Sequence, residues 1–143
     1  MTTVILAQAR AIIAVGFERG SELLLKPLSI VVLDAGGHVE AFERQDGASN
    51  LRFEIAHGKA YGALGLGIGS RALMARAEDQ PWFIAAVNGV FGGALVPVPG
   101  GVLVRTSDGE LIGAVGVSGD ASDNDELVAV AGIEAAGFDA GYG

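Results

Sequence analysis

At 143 residues, half of them hydrophobic and 18% charged, the chain suits one domain spanning 1–143, with a core large enough to be covered on more than one side. A net charge of −8, with nine scattered Lys and Arg residues, argues against a nucleic-acid partner; the lack of cysteine removes disulfides, thiolate metal sites and a cysteine nucleophile. The 23 glycines follow no short period and read as turns and close backbone approaches rather than collagen.

The opening stretch MTTVILAQARAIIAVGF looks superficially like a signal sequence, but it lacks a basic n-region and Arg10 interrupts the apolar run. It reads instead as an amphipathic helix of a soluble, cytoplasmic protein. No uncharged run reaches the roughly 20 residues of a membrane span, so no membrane partner is expected. Thr3 can cap this helix, which runs to about Leu24 with Ala7, Ala11 and Ala14 on one face and Gln8, Arg10, Arg19 and Glu22 toward water; Pro27 ends it. Residues 28–33 are apolar at both parities, the pattern of a strand covered on both faces, with helices on one and a neighbouring subunit as a candidate cover for the other. Asp34-Ala35-Gly36-Gly37 is a tight turn, and residues 38–44 return as the second strand of a hairpin.

After a polar loop, Asn50 can cap a helix over 51–64. Phe53, His57 and Tyr61 recur on one face of it, Ala56, Ala60 and Ala63 form another, and Gly58 and Gly62 thin the backbone on a third. Each glycine costs a helix about 1 kcal/mol, which suggests that something large, such as another helix, presses close. A helix over 70–78 capped by Ser70 and a shorter one from Pro81 to Phe91 follow. The organising stretch is 97–126, PVPGGVLVRTSDGELIGAVGVSGDASDNDE. Residues 102–106 and 111–118 flank Ser107-Asp108-Gly109 as a hairpin, and the spacings Ser122 to Asp125 and Asp123 to Glu126 predict a capped helix closing at Gly137. Residues 138–143 read as a loose tail. The order predicts an α+β protein, an antiparallel sheet flanked by helices; a doubly wound parallel sheet fits less well, because both strand pairs are joined by turns too short for a crossover.

VVLDAGGHVEAFERQDGA at 31–48, EIAHGKAYGA at 54–63, PGGVLV at 99–104 and IGAVGVSGDASDNDE at 112–126 together resemble the GlcG/HbpS-type haem-binding family, which includes the C-terminal domain of PduO-type proteins. The resemblance covers nearly the whole chain in the same order. It implies a profilin-like sheet, a homo-oligomer, and haem or a related tetrapyrrole as ligand. Leu103 departs from the family pattern, standing where a proline is expected, which bears on the pocket wall.

Phe53, His57 and Tyr61 form the most haem-like face, since an imidazole can ligate iron and aromatic rings can pack on a macrocycle. The same three residues also suit a half-buried helix face with a satisfied histidine. Lys59 and Arg44 can pair with ligand carboxylates, or with Glu54 and Asp46 in structural ion pairs. The family's helix motif adds weight to a ligand or subunit-contact role for Lys59. Ser70 is a second hydroxyl candidate, and the amides of Gly100 and Gly101 can meet an anionic oxygen. A small cofactor-free isomerase, lyase or hydrolase acting on an organic acid remains the alternative, with His57 or Asp34 as general base. Asp120, Asp123, Asp125 and Glu126 lack calcium-loop spacing, and Gly65-x-Gly67-x-Gly69 lacks that of a dinucleotide fingerprint, so neither a metal nor a nucleotide cofactor is expected there.

Overall fold

The structure, a computed structural model, describes residues 2–143. Both predicted hairpins are present. β1 (Ser29–Asp34) pairs with β2 (Val39–Arg44), and β3 (Gly101–Arg105) pairs with β4 (Leu111–Ser118). What joins them is an antiparallel β1–β4 ladder running from Ser29 opposite Ser118 to Asp34 opposite Gly113. The predicted loose tail instead contributes β5 (Asp139–Gly141), antiparallel to the free edge of β3, to give the order β2-β1-β4-β3-β5. Strand β3 is thereby paired on both sides. Leu103, opposite both Ala114 and Gly141, keeps a backbone N–H in a ladder where proline would remove one.

Helices cover both faces of the sheet. α1 (Leu6–Glu22) and α5 (Ser122–Ala135) bury Ile30, Val32, Val102, Val104, Val115 and Val117, while α2 (Arg52–Leu66) covers Val31, Leu33, Leu103 and Ala114 with Ala56, Ala60 and Ala63. Each of these large apolar side chains contributes about 1.5–3 kcal/mol on burial. The second face of β1, for which a neighbouring subunit was a candidate cover, is thus filled by this chain's own α2. The buried side of α1 is Ala9, Ile12, Ile13, Gly16 and Gly20, whereas Ala7, Ala11 and Ala14 face solvent. The isoleucines carry more apolar area than the alanines, and α5 reaches close contact, with a Cβ at Gly132 falling 2.5 Å from the Ile12 carbonyl oxygen.

Helix ends differ from their predicted caps. Ile5, not Thr3, is the N-cap of α1, and the Thr3 hydroxyl accepts the Ala35 N–H at 2.9 Å. Leu51 takes the place expected of Asn50, and Gly69 that expected of Ser70. α5 begins one residue earlier than expected, so its N-cap is Ala121, which has no side-chain acceptor; Asp125 and Glu126 pair with Lys59 and Arg71. α3 (Ser70–Asp79) and α4 (Pro81–Val90) close a small satellite core of Leu73, Ile84 and Leu95. Among the described residues no helix is long and apolar enough to cross a membrane.

Candidate functional site

The periodic face of α2 forms a ladder of rings. Phe53 and His57 have centroids 5.6 Å apart, and His57 stacks on Tyr61 at 5.2 Å with 19° between planes. Edge contacts terminate the ladder at both ends, Phe42 of β2 on Phe53 at 4.8 Å and Phe91 on Tyr61 at 5.4 Å. Tyr61 also packs under the β1–β2 turn, where a Cβ at Gly37 would lie 3.0 Å from its ring.

Beside the ladder is a cleft of about 350 Å³ lined by Phe53, Glu54, His57, Gly92, Gly93, Ala94 and Val96. Its outer wall, the strap 92–96, is the object pressed against the helix glycines. A Cβ at Gly58 would fall 2.2 Å from the Ala94 carbonyl oxygen and one at Gly62 2.3 Å from Leu95 Cδ1. The strap is a turn followed by irregular chain, not the helix named as a candidate. The Val96 N–H donates to the Gly58 carbonyl at 3.3 Å, which pins strap to helix at that point. Gly92 and Gly93 both have positive φ, +67° and +84°, and turn the chain from the end of α4 onto α2.

Burial lowers the pKa of the half-buried His57, so its imidazole is neutral at neutral pH with a lone pair available to a metal. Its flanking rings are Phe53 and Tyr61, and among the described residues no hydrogen-bonded carboxylate orients it. Glu54, three residues earlier and on the same rim, is the one carboxylate lining the cleft among the described residues. Its i, i+3 spacing to His57 was legible in the sequence, whereas nothing local announced the strap.

The remaining candidates gather elsewhere. Lys59, Ser70, Gly100 and Gly101 meet on the sheet side of α2. Lys59 Nζ donates to Asp125 at 3.1 Å and to the Val117 carbonyl at 3.0 Å, with 2% of the side chain exposed. Its partner is therefore Asp125 rather than Glu54. Ser70 Oγ accepts the Gly101 N–H at 2.7 Å, so this hydroxyl ties α3 to the start of β3. The corner 99–102 lies against Lys59, with a Cβ at Gly101 falling 2.2 Å from the Lys59 carbonyl oxygen, and does not line the cleft. Leu103 is likewise buried in the sheet, so its departure from the family pattern alters β3 and not the cleft wall.

Arg44 donates to the Ala48 carbonyl at the edge of β2, in place of a pair with Asp46, and borders a separate depression of about 580 Å³ with Phe17, Leu25, Glu43 and Asp46. The volume there is larger, but its acids outnumber Arg44 and it holds neither the aromatic face nor a histidine. Asp34 accepts the N–H groups of Gly36 and His38 and faces His38 Nδ1 at 3.1 Å, which orders the turn and holds its carboxyl below the usual range despite the opposing effect of burial. The acidic run around α5 disperses: Asp125 to Lys59, Asp123 and Glu126 to Arg71, and Asp120 to the N–H groups of Lys26 and Ala121.

An antiparallel sheet enclosed by helices on both faces, with a histidine-bearing aromatic cleft on its central covering helix, defines an α+β domain of a recognisable class. The chain belongs to the HbpS-like family, described as "Haem degrading protein HbpS-like", whose family model matches residues 4–134. It is 37% identical over 123 residues to Protein GlcG of Escherichia coli K12, across 82% of this chain and 84% of that protein. Among solved structures it is similar to the Klebsiella pneumoniae protein ORFY (TM-score 0.86, 25% identity, 96% of this chain and 92% of that one). It is similar to HbpS as well (TM-score 0.81, 26% identity, 94% and 91%). A haem complex of PduOC shares the fold (TM-score 0.84, 24% identity, 95% and 96%).

Proposed function

We propose that this protein binds haem or a related tetrapyrrole in the α2 cleft, with His57 as the iron ligand and the Phe53–His57–Tyr61 face as the packing surface. The observation that carries the reading is the neutral, half-buried imidazole between two aromatic rings at the mouth of a mostly apolar cleft. The family description, which names haem, supports the same ligand class.

These residues fit the group as a one-sided seat. Phe53, Ala94 and Val96 line the cleft beside His57 with apolar surface, and Tyr61 stacks on the imidazole from its other neighbour position on α2. If haem is bound, the His57 imidazole would hold its iron, and the group would supply redox chemistry of its own. Tyr61 fixes the imidazole plane by stacking and Glu54 sets a negative rim. Among the described residues no Lys or Arg lines the cleft, so a cationic partner for ligand carboxylates would have to come from outside it.

A homo-oligomer is part of this proposal. α4 is apolar nearly all round and leaves Trp82 68% and Val90 85% exposed next to the strap, which is costly surface for a lone subunit. The acid–base enzyme reading has less support, because among the described residues His57 has no hydrogen-bonded orienting partner and the Asp34 carboxylate is engaged by its own turn.

The test is a haemin titration followed across the Soret region, with His57→Ala and Tyr61→Phe alongside. Saturable binding lost or spectrally shifted in His57→Ala is expected, with a smaller change in Tyr61→Phe. An unchanged Soret band in folded His57→Ala would remove the site from α2.

A further inference from the structure

A second concavity, of about 200 Å³, lies where the entry to β1 meets the loop before α2, on a different face of that helix from the ring ladder. It is lined by Lys26, Gly47, Ala48, Ser49, Arg52 and Gly119, with Pro27 between them. In a chain of net charge −8 with nine Lys and Arg residues, two of those cations border one small pocket.

Their partners distinguish them from the protein's structural cations. Arg71 is clasped by the carboxylates of Asp123 and Glu126, and Lys59 by that of Asp125. Arg52 has no carboxylate partner among the described residues. Its Nε donates to Ser49 Oγ at 2.8 Å and its Nη1 to Ser118 Oγ at 3.0 Å, so two neutral hydroxyls aim the guanidinium without cancelling its charge. Lys26 is anchored through its backbone N–H to Asp120 Oδ2 at 2.9 Å, while the same carboxylate's Oδ1 accepts from the Ala121 N–H and from Asn124 at 2.8 Å. Asp120 is the nearby countercharge to Lys26, and both of its oxygens already accept hydrogen bonds.

Ser118, which Arg52 bonds, has a second buried hydroxyl beside it in the sheet. Ser29 stands directly opposite Ser118 in the β1–β4 register, so the two hydroxyls belong to the same end of the same sheet face. Ser29 Oγ is the buried side-chain polar atom that lacks a hydrogen-bond partner among the described residues, an arrangement that calls for a further polar atom nearby. Backbone crowding keeps the rim bare of a side chain at Gly119. Gly119 has φ +152°, and a Cβ there would fall 2.2 Å from the Pro27 carbonyl oxygen.

We propose that this pocket is a binding site for a small oxyanion, a phosphate or a short carboxylate, held by the Arg52 guanidinium and the Lys26 ammonium with Ser49 at its rim. The guanidinium fork matches two oxygens of either group. The volume admits such an anion and excludes a macrocycle, so the site is separate from the α2 cleft and its test uses no haem.

The experiment is isothermal titration of the full chain with sodium phosphate and with sodium malonate, against sodium chloride at matched ionic strength, on wild type, Lys26→Gln and Arg52→Gln. Saturable binding of phosphate, malonate or both is expected, weakened by about two- to fivefold in each variant. Phosphate alone or malonate alone narrows the oxyanion class. Because Arg52→Gln also breaks the bond to Ser118, the exposed Lys26→Gln variant, checked for native circular dichroism, carries the decision. Oxyanions that behave as chloride does, or binding undiminished in folded Lys26→Gln, overturn the proposal.

Discussion

Lys59 Nζ lies 3.1 Å from Asp125 Oδ2 with 2% and 1% of the two side chains exposed, a buried ion pair that links α2 to α5 around the end of β4. Burial pushes the Asp125 carboxyl up and the Lys59 ammonium down, while each partner opposes the other's shift. Desolvation is thus the largest cost of the joint, and the Val117 carbonyl and the Asp120 N–H complete its hydrogen bonds.

Removing one partner leaves an unpaired buried charge. Lys59→Met and Asp125→Leu are each expected to lose about 3–5 kcal/mol in urea unfolding, and the double variant to lose much less than their sum. Additive losses in the double variant would mean the two charges are not energetically coupled.

His57 should make stability and ligand binding sensitive to acid. Its folded pKa is lowered from 6.5 by burial, so the folded state binds its proton less readily than the unfolded state. The contribution is fully present above 6.5 and is lost as pH falls through 6.5 toward the lower folded value. Haemin affinity should therefore be weaker at about pH 5 than at about pH 7.5, and an NMR titration should place the imidazole below the free-histidine value. A raised His57 pKa in that titration would contradict the burial argument.

Gly58 is expected to tolerate no side chain. Gly58→Ala sets a Cβ 2.2 Å from the Ala94 carbonyl oxygen and 2.6 Å from Val96 Cγ2, so backbone must move. A loss of about 1–3 kcal/mol in unfolding free energy is expected, together with displacement of the strap and altered haemin binding. Gly89→Ala, with nothing within 4 Å of its new Cβ, is the matched control and should be neutral or mildly stabilising. Equal stability of Gly58→Ala and wild type would place the strap elsewhere in solution.

Trp82 and Val90 should report on association. Trp82→Glu combined with Val90→Glu adds charge to exposed positions of α4, so circular dichroism should stay native while sedimentation velocity shifts toward monomer. A wild-type protein that already sediments as a monomer ends the oligomer proposal.

The hairpins, the helix order and the α2 ring ladder were determined by the sequence itself, because each depends on local periodicity or turn chemistry. Asp34-Ala35-Gly36-Gly37 and Ser107-Asp108-Gly109 dictate their turns, and the 53, 57, 61 spacing places three rings on one face whatever packs against them. The apolar double parity of β1 likewise announced a strand covered on both sides. Which element covers it, which strand joins the hairpins, and where the short tail docks depend on contacts between residues far apart in sequence, and no local pattern encodes those. The same limit governed the site. Lys59 and Ser70 looked like ligand and cap until their distant partners Asp125 and Gly101 claimed them, and the cleft wall came from a glycine-rich strap whose sequence reads only as a turn. Tertiary packing decided these matters because a buried polar group must take whichever partner the fold brings within reach.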